Sequence, residues 1–186
     1  MKMLDKYIGK SVLFLDVDGV LNTSSTCVCA PSGVCIGIDE ARIAILANAM
    51  KQVGMEGVIL TSTWKDLRED NEDYVYLISS LDKHGVKVLG KTTEEHFIKR
   101  EEGVLDYLKE HPEIEEFVII DDNYFGFGKH SKLFESFVDT KGKGIEHSVA
   151  ASKTPSVPAI LFLSAIQGLK GENRTETNAG RKRNIT

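Results

Sequence analysis

Residues 11–23 read SVLFLDVDGVLNT, and the fold follows from how this stretch breaks. Val12, Leu13, Phe14 and Leu15 form a continuous apolar run that stops at Asp16-Val17-Asp18-Gly19. A short apolar run without alternation is the pattern of a strand buried on both faces, here over 12–17. It delivers two carboxylates to its carboxyl end. A buried carboxylate is costly unless a cation or hydrogen bonds compensate it. Residues two apart on a strand point the same way. Gly19 lets the chain turn directly afterwards, so the two acids can take different tasks.

Outward from this strand the chain alternates. Asp39 is a suitable N-cap for a first helix with Ile45, Leu46, Ala49, Met50 and Val53 as its apolar face and Gly54 as its end. A second strand is expected over 57–61, with Trp64 at its exit. Trp64 reads as a packing residue, with the wall of a substrate pocket as its alternative. Tyr74, Leu77, Ile78 and Leu81 fall at helical spacing, and Gly85 is the expected C-cap. A third strand is expected over 86–89. A helix over 99–110 carries Val104, Leu105 and Leu108 inward and is stopped by Pro112. A fourth strand follows over 117–120. Residues 123–135 read as a loop and 137–139 as a short fifth strand. Two further helices are expected near 145–152 and 158–169. Residues 1–170 read as one domain, and 171–186 as a disordered polar tail in which Arg181, Lys182 and Arg183 are solvated.

Strands alternating with helices imply an α/β fold, a doubly wound Rossmann-like parallel sheet with helices on both faces. Ligands of such sheets sit at the carboxyl ends of the strands. Asp16, Asp18, Thr61, Ser62, Asp121 and Asp122 all fall at that edge. Lys99 and Arg100 open the helix that leaves it, whereas Lys109 is at the far end.

The 186 residues suit one domain, and 41% hydrophobic with 27% charged residues is ordinary globular composition. A net charge of -5 excludes coating of nucleic acid by bulk charge but leaves local contact with a nucleic-acid end. The first apolar run is broken by Asp16, so it lacks the core of a signal peptide. The run 159–166 contains Ser164 and is too short to span a membrane. A cytoplasmic location is the expectation. The three cysteines, Cys27, Cys29 and Cys35, are expected as free thiols. A zinc site would need a fourth ligand, and no histidine lies nearby. His84, His96, His111, His130 and His147 are scattered and read as surface or capping residues.

Four segments carry a resemblance. DVDGVLN, residues 16–22, resembles the first motif, DxDGx[LTV], of the haloacid dehalogenase-like (HAD) phosphatase superfamily. VILTSTW (58–64), IKREE (98–102) and FVIIDD (117–122) resemble its later motifs, in order. The resemblance spans roughly residues 11–140. TSTW paired with a KREE-type helix start and IIDD is similar to the HAD domain of Swiss Army knife RNA-repair proteins. It implies a Mg²⁺-dependent phosphohydrolase working through an aspartyl-phosphate, with a nucleotide or a nucleic-acid terminal phosphate as substrate. By the resemblance, Asp16 is the nucleophile and Asp18 the acid and base. Mg²⁺ is held by Asp16, the Asp18 carbonyl and Asp121, with Asp122 either in an outer position or only a helix cap. Thr61 (or Ser62) binds a phosphoryl oxygen, and Arg100 or Lys99 supplies positive charge, with Lys91 the outsider.

Segments 22–37 and 90–98 are too short to bury a core of their own. The expected cap is therefore minimal or absent and the site open, which suits a bulky phosphorylated partner: a nucleotide, a nucleic-acid end or a phosphoprotein. Rival readings are a phosphoprotein phosphatase, a receiver-like module, a catalytically weak HAD fold used for binding, and a DxD glycosyltransferase. In a receiver the acidic pair ends the first strand and the phosphoacceptor ends the third, an order this chain does not follow.

Overall fold

The computed structural model describes residues 10–93 and 99–179, with side chains as far as 168. Six strands form one sheet: β1 (Lys10–Leu15), β2 (Gly57–Leu60), β3 (Val88–Lys91), β4 (Ile114–Asp121), β5 (Phe137–Asp139) and β6 (Val149–Ala150). Their order is β3-β2-β1-β4-β5-β6. Neighbours are parallel except β5 and β6, which run antiparallel. The apolar run of residues 12–15 thus lies at the centre, flanked by β2 and by the apolar stretch 117–120 of β4.

Alternation along these strands feeds two cores. Leu13, Leu15, Val58, Leu60, Val118 and Ile120 pack with α1 (Glu40–Val53), α2 (Glu72–Lys83) and α5 (Val157–Ala179), through residues such as Leu46, Leu77 and Phe162. Val12, Phe14, Ile59, Phe117 and Ile119 meet Val104 of α3 (Arg100–Glu110), Leu133 of α4 (Ser131–Glu135) and Phe127. Phe14 is edge-on to both Tyr107 and Phe117, at 5.8 and 5.9 Å between ring centroids. Each such fully buried side chain contributes about 1.5–3 kcal/mol. Both faces are therefore covered, as a parallel sheet requires.

Local signals set the helix ends. Asp39 accepts from the Ala41 N–H and opens α1, and Gly54 closes it at φ 74°. Asn71 caps α2 by accepting from Asp73 and Tyr74 N–H. Its C-cap is His84, with Gly85 following at φ 74°.

The structure corrects several expectations. Ile43 takes the fully buried place on α1, and Ile45 and Val53 are only partly buried. The third strand starts two residues later than expected, and as an outer strand it is half exposed. Residues 123–135 are not a plain loop. They hold a 3₁₀ turn, Phe127–Lys129, and α4, both anchored by buried Phe127 and Leu133. The helix expected near 145–152 is instead a 3₁₀ turn, Ile145–His147, followed by β6. α5 continues to Ala179, past residue 170 where the polar tail was expected to begin; residues 180–186, like the lead-in 1–9, lie outside the described residues.

Between β1 and α1 the chain forms turns and one isolated antiparallel bridge, Cys29 to Ile36, with no helix of its own. Of the second expected cap position, residues 94–98 lie outside the described residues. Among the described residues no helix is long and apolar enough to cross a membrane.

Candidate active site

The site is built from the carboxyl ends of β1, β2 and β4. Asp16 extends the β1 ladder, donating its N–H to Ile120 O at 3.0 Å, and its side chain is 2% exposed. The chain then tightens: Leu21 and Asn22 N–H groups donate to Val17 O. Gly19 sits in this turn at φ 75°, and a Cβ there would lie 2.3 Å from Asp122 Oδ2. The Asp122 carboxylate therefore rests on bare backbone that only glycine provides.

Asp18 is exposed, yet its carboxylate is held at both oxygens. Trp64 Nε1–H donates to Oδ2 at 3.1 Å, and Asn22 Nδ2 donates to Oδ1 at 2.9 Å. Asn22 also accepts from Gly19 N–H through Oδ1 at 3.2 Å and donates to Ile36 O at 3.2 Å.

At the end of β4, Asp121 is fully buried. Its Oδ1 accepts from Asn123 N–H at 2.9 Å, and its Oδ2 accepts from Arg100 Nη1 at 2.6 Å. The same nitrogen lies 2.8 Å from Asp16 Oδ1, an ion pair without aligned hydrogen-bond geometry. Arg100 is the first residue of α3, so the helix phase aims it inward. Its guanidinium lies 4.5 Å over the Phe125 ring. Phe125 adopts φ 39°, supported by Asn123 Oδ1 accepting its N–H at 3.1 Å. Glu101 Oε2 accepts from Gly126 N–H at 3.2 Å, tying the start of α3 to the same loop.

At the end of β2, Thr61 N–H donates to Leu15 O at 2.9 Å. Its Oγ1 is buried and has no hydrogen-bond partner among the described residues. Ser62 Oγ is used differently: it accepts from Trp64 N–H at 3.5 Å and opens the 3₁₀ turn Thr63–Asp66.

Sequence neighbours separate here. Arg100 reaches the acids, whereas Lys99 pairs with Glu102 at 2.8 Å and its side chain is 63% exposed. Lys91 donates to Lys65 O at 3.1 Å and lies over the Tyr74 ring, so it is engaged elsewhere. Lys109 is in the last turn of α3, at the opposite end from Arg100. Cys27 and Cys29 are exposed free thiols and Cys35 a partly buried one. Of the expected metal-binding residues, Asp16, Asp121 and Asp122 each bring an oxygen within 4.8 Å of the others; the Asp18 side chain is not in that group.

The electrostatics are strained. Burial, then the Asp121 charge, pushes the Asp16 carboxyl well above the usual range, with Arg100 opposing. Burial raises Asp121 from 3.8 to about 6, again against Arg100. Burial also raises Asp122. One guanidinium does not balance three clustered acids. An all-oxygen donor set with excess negative charge, including an Asp16 oxygen without an aligned hydrogen bond, fits a hard divalent cation.

Asn22 and Trp64 are the members of the site whose contacts to Asp18 the sequence reading did not foresee. Asn22 lies within the quoted DVDGVLN motif and Trp64 within TSTW, so their positions were visible even though their hydrogen bonds were not.

A parallel sheet of this strand order, with a DxD at its centre and an acidic pair on the adjacent strand, defines a HAD-like α/β domain. The chain belongs to the family described as HAD domain in Swiss Army Knife RNA repair proteins, which matches residues 12–148. No match is found among curated proteins or among solved structures. Membership supports a phosphohydrolase of the HAD type.

Proposed function

We propose that this protein is a Mg²⁺-dependent phosphomonoesterase that acts through an aspartyl-phosphate on Asp16. The observation that carries the reading joins charge to an unpartnered donor: Arg100 and three acids cluster at the ends of β1 and β4, and at the adjacent end of β2 the buried Thr61 hydroxyl has no partner among the described residues. A buried hydroxyl without a partner is costly, and a phosphoryl oxygen would supply the missing acceptor.

In this reading an Asp16 carboxylate oxygen attacks phosphorus in line. The bond from phosphorus to the leaving oxygen breaks, and Asp18 gives that oxygen a proton. Asp18 then takes a proton from a water whose oxygen attacks phosphorus, the bond to Asp16 breaks, and phosphate leaves. Thr61 donates to a phosphoryl oxygen, and Arg100 supplies fixed positive charge. Ser62 is committed to the turn and Lys99 to Glu102, which favours Thr61 and Arg100 for these roles. Asp16, Asp121 and Asp122 would hold Mg²⁺, with the Asp18 carbonyl as a further ligand. When bound, the ion would offset repulsion between the acids and the substrate.

The substrate is inferred to be a nucleotide or a nucleic-acid terminal phosphate. The family description and a β1–α1 connection without a helix both support a substrate too large for an enclosed site. The test is phosphate release from p-nitrophenyl phosphate, nucleoside monophosphates and 3′- or 5′-phosphorylated oligonucleotides. Each is measured with Mg²⁺ and with EDTA. Release should require the metal and fall by on the order of a thousandfold or more in folded Asp16→Asn. A folded wild type that hydrolyses none of them, or an Asp16→Asn variant that retains turnover, would sink the reading.

A further inference from the structure

Asp18 is an exposed aspartate on a turn, and such a side chain ordinarily samples several rotamers. Here each carboxylate oxygen accepts from a donor on a different element. We infer that Trp64 is a positioning residue for Asp18: its indole N–H, together with the Asn22 amide, aims the carboxylate that protonates the leaving group. The inference rests on the phosphatase reading above.

Three observations support it. Trp64 is 3% exposed and sits in a turn opened by Ser62, so packing fixes the direction of its N–H. An indole nitrogen only donates, and a buried one must find an acceptor. The acceptor it finds is the carboxylate of Asp18, 46 residues away in sequence, rather than a nearby carbonyl. The amide of Asn22 is equally determined. Its oxygen takes the Gly19 N–H, and its nitrogen donates to both Asp18 and Ile36 O. Reversing the amide would lose all three bonds. The carboxylate is therefore referenced to two strand ends at once, β1 through Asn22 and β2 through Trp64.

A packing role and a positioning role differ in what they change. If Trp64 only fills space, its loss lowers stability or slows every substrate alike. If it aims Asp18, its loss matters most when the leaving oxygen needs a proton. Phenyl phosphate and p-nitrophenyl phosphate have similar shape, but phenolate is the poorer leaving group and depends more on the acid. The comparison is made on kcat/KM, which covers the steps through departure of the first product.

Trp64→Phe keeps an aromatic ring and removes the N–H. It should lower kcat/KM for phenyl phosphate by roughly tenfold to a hundredfold and for p-nitrophenyl phosphate by less than about threefold. Trp64→His, which restores a ring N–H, should recover part of the phenyl phosphate rate. Equal losses on the two esters, or no loss on either, overturn the positioning role. A folded wild type that hydrolyses neither these esters nor the nucleotide and oligonucleotide phosphates overturns the phosphatase reading instead. A readout independent of these variants comes from Trp64 being the sole tryptophan. Its emission should shift in Asp18→Ala, which keeps the indole and removes its acceptor. Unchanged emission in that folded variant overturns the contact, and it decides the matter even where Trp64→Phe fails to fold.

Discussion

Gly19 shows how one residue serves both backbone and chemistry. Its φ of 75° is open to glycine and strained for other residues, and its missing Cβ leaves the space that Asp122 Oδ2 occupies. Gly19→Ala should therefore do two things. The strain should cost about 1–3 kcal/mol of stability. The Asp122 carboxylate should also swing away from Asp16 and Asp121, raising the Mg²⁺ concentration needed for half-maximal phosphate release. A Mg²⁺ titration alongside a urea melt separates the two, and a variant with unchanged metal requirement would contradict the role given to Asp122. At this scale the acids were legible because each ends an apolar run, where a carboxylate has no reason to be unless something uses it. Lys99 and Arg100 were not separable, since adjacent residues differ only in helix phase, and the phase is fixed by Val104 docking under β1 and β4. In sequence Trp64 reads as packing because nothing local identifies an acceptor that lies in the turn after β1.

Among the elements, the connection between β1 and α1 is held by a few polar ties rather than by a core. Asp73, near the start of α2, accepts from Ser32 N–H at 2.9 Å and from the Ser32 hydroxyl, and those bonds hold its carboxyl below the usual range. Tyr76 Oη accepts from Ile38 N–H at 3.0 Å on the same face of α2. Ile36 O, between these anchors, accepts from Asn22, so the connection reaches Asp18. Asp73→Ala removes a charged acceptor from two donors and should cost about 1–3 kcal/mol, read as a lower urea midpoint at neutral pH. A midpoint equal to wild type would mean the loop is held by other contacts. The caps of α1 and α2 were legible because Asp39 and Gly54 act locally. The segments 123–135 and 145–152 were not. Their short turns and β6 are set by where Phe127, Leu133 and Ile145 are buried and by pairing with β5, which are tertiary facts.

For the whole molecule, the crowded acids predict an unusual dependence of stability on pH. Burial raises Asp16 and takes Asp121 from 3.8 to about 6. In metal-free folded protein these carboxyls keep protons at a pH where the unfolded chain has released them. Where the folded state binds more protons, stability falls as pH rises. The contribution is thus greatest below the unfolded value and is lost as pH climbs through the folded one, between about 4 and 6 for Asp121. A shift of that size corresponds to about 3 kcal/mol from this one group. Glu146 pulls the other way. Burial raises it, but the Arg42 bonds outweigh burial and hold it low, so its contribution is present above the unfolded value and fades only at more acidic pH. Between neutral pH and about 5.5 the raised acids should dominate. In EDTA, Tm should rise as pH is lowered over that range, and Mg²⁺ should remove most of the slope by taking the place of the protons. Acidification also relieves the net charge of -5, which would favour folding without any special group. Asp121→Asn separates the causes: it leaves the general charge effect almost intact and should reduce the slope of the EDTA profile by the share that Asp121 contributes, while the buried Asp16 keeps its own. A Tm that falls with acidification in EDTA, or a slope that Asp121→Asn leaves undiminished, would show that the acids at this edge are not the strained, cation-seeking group inferred from their burial.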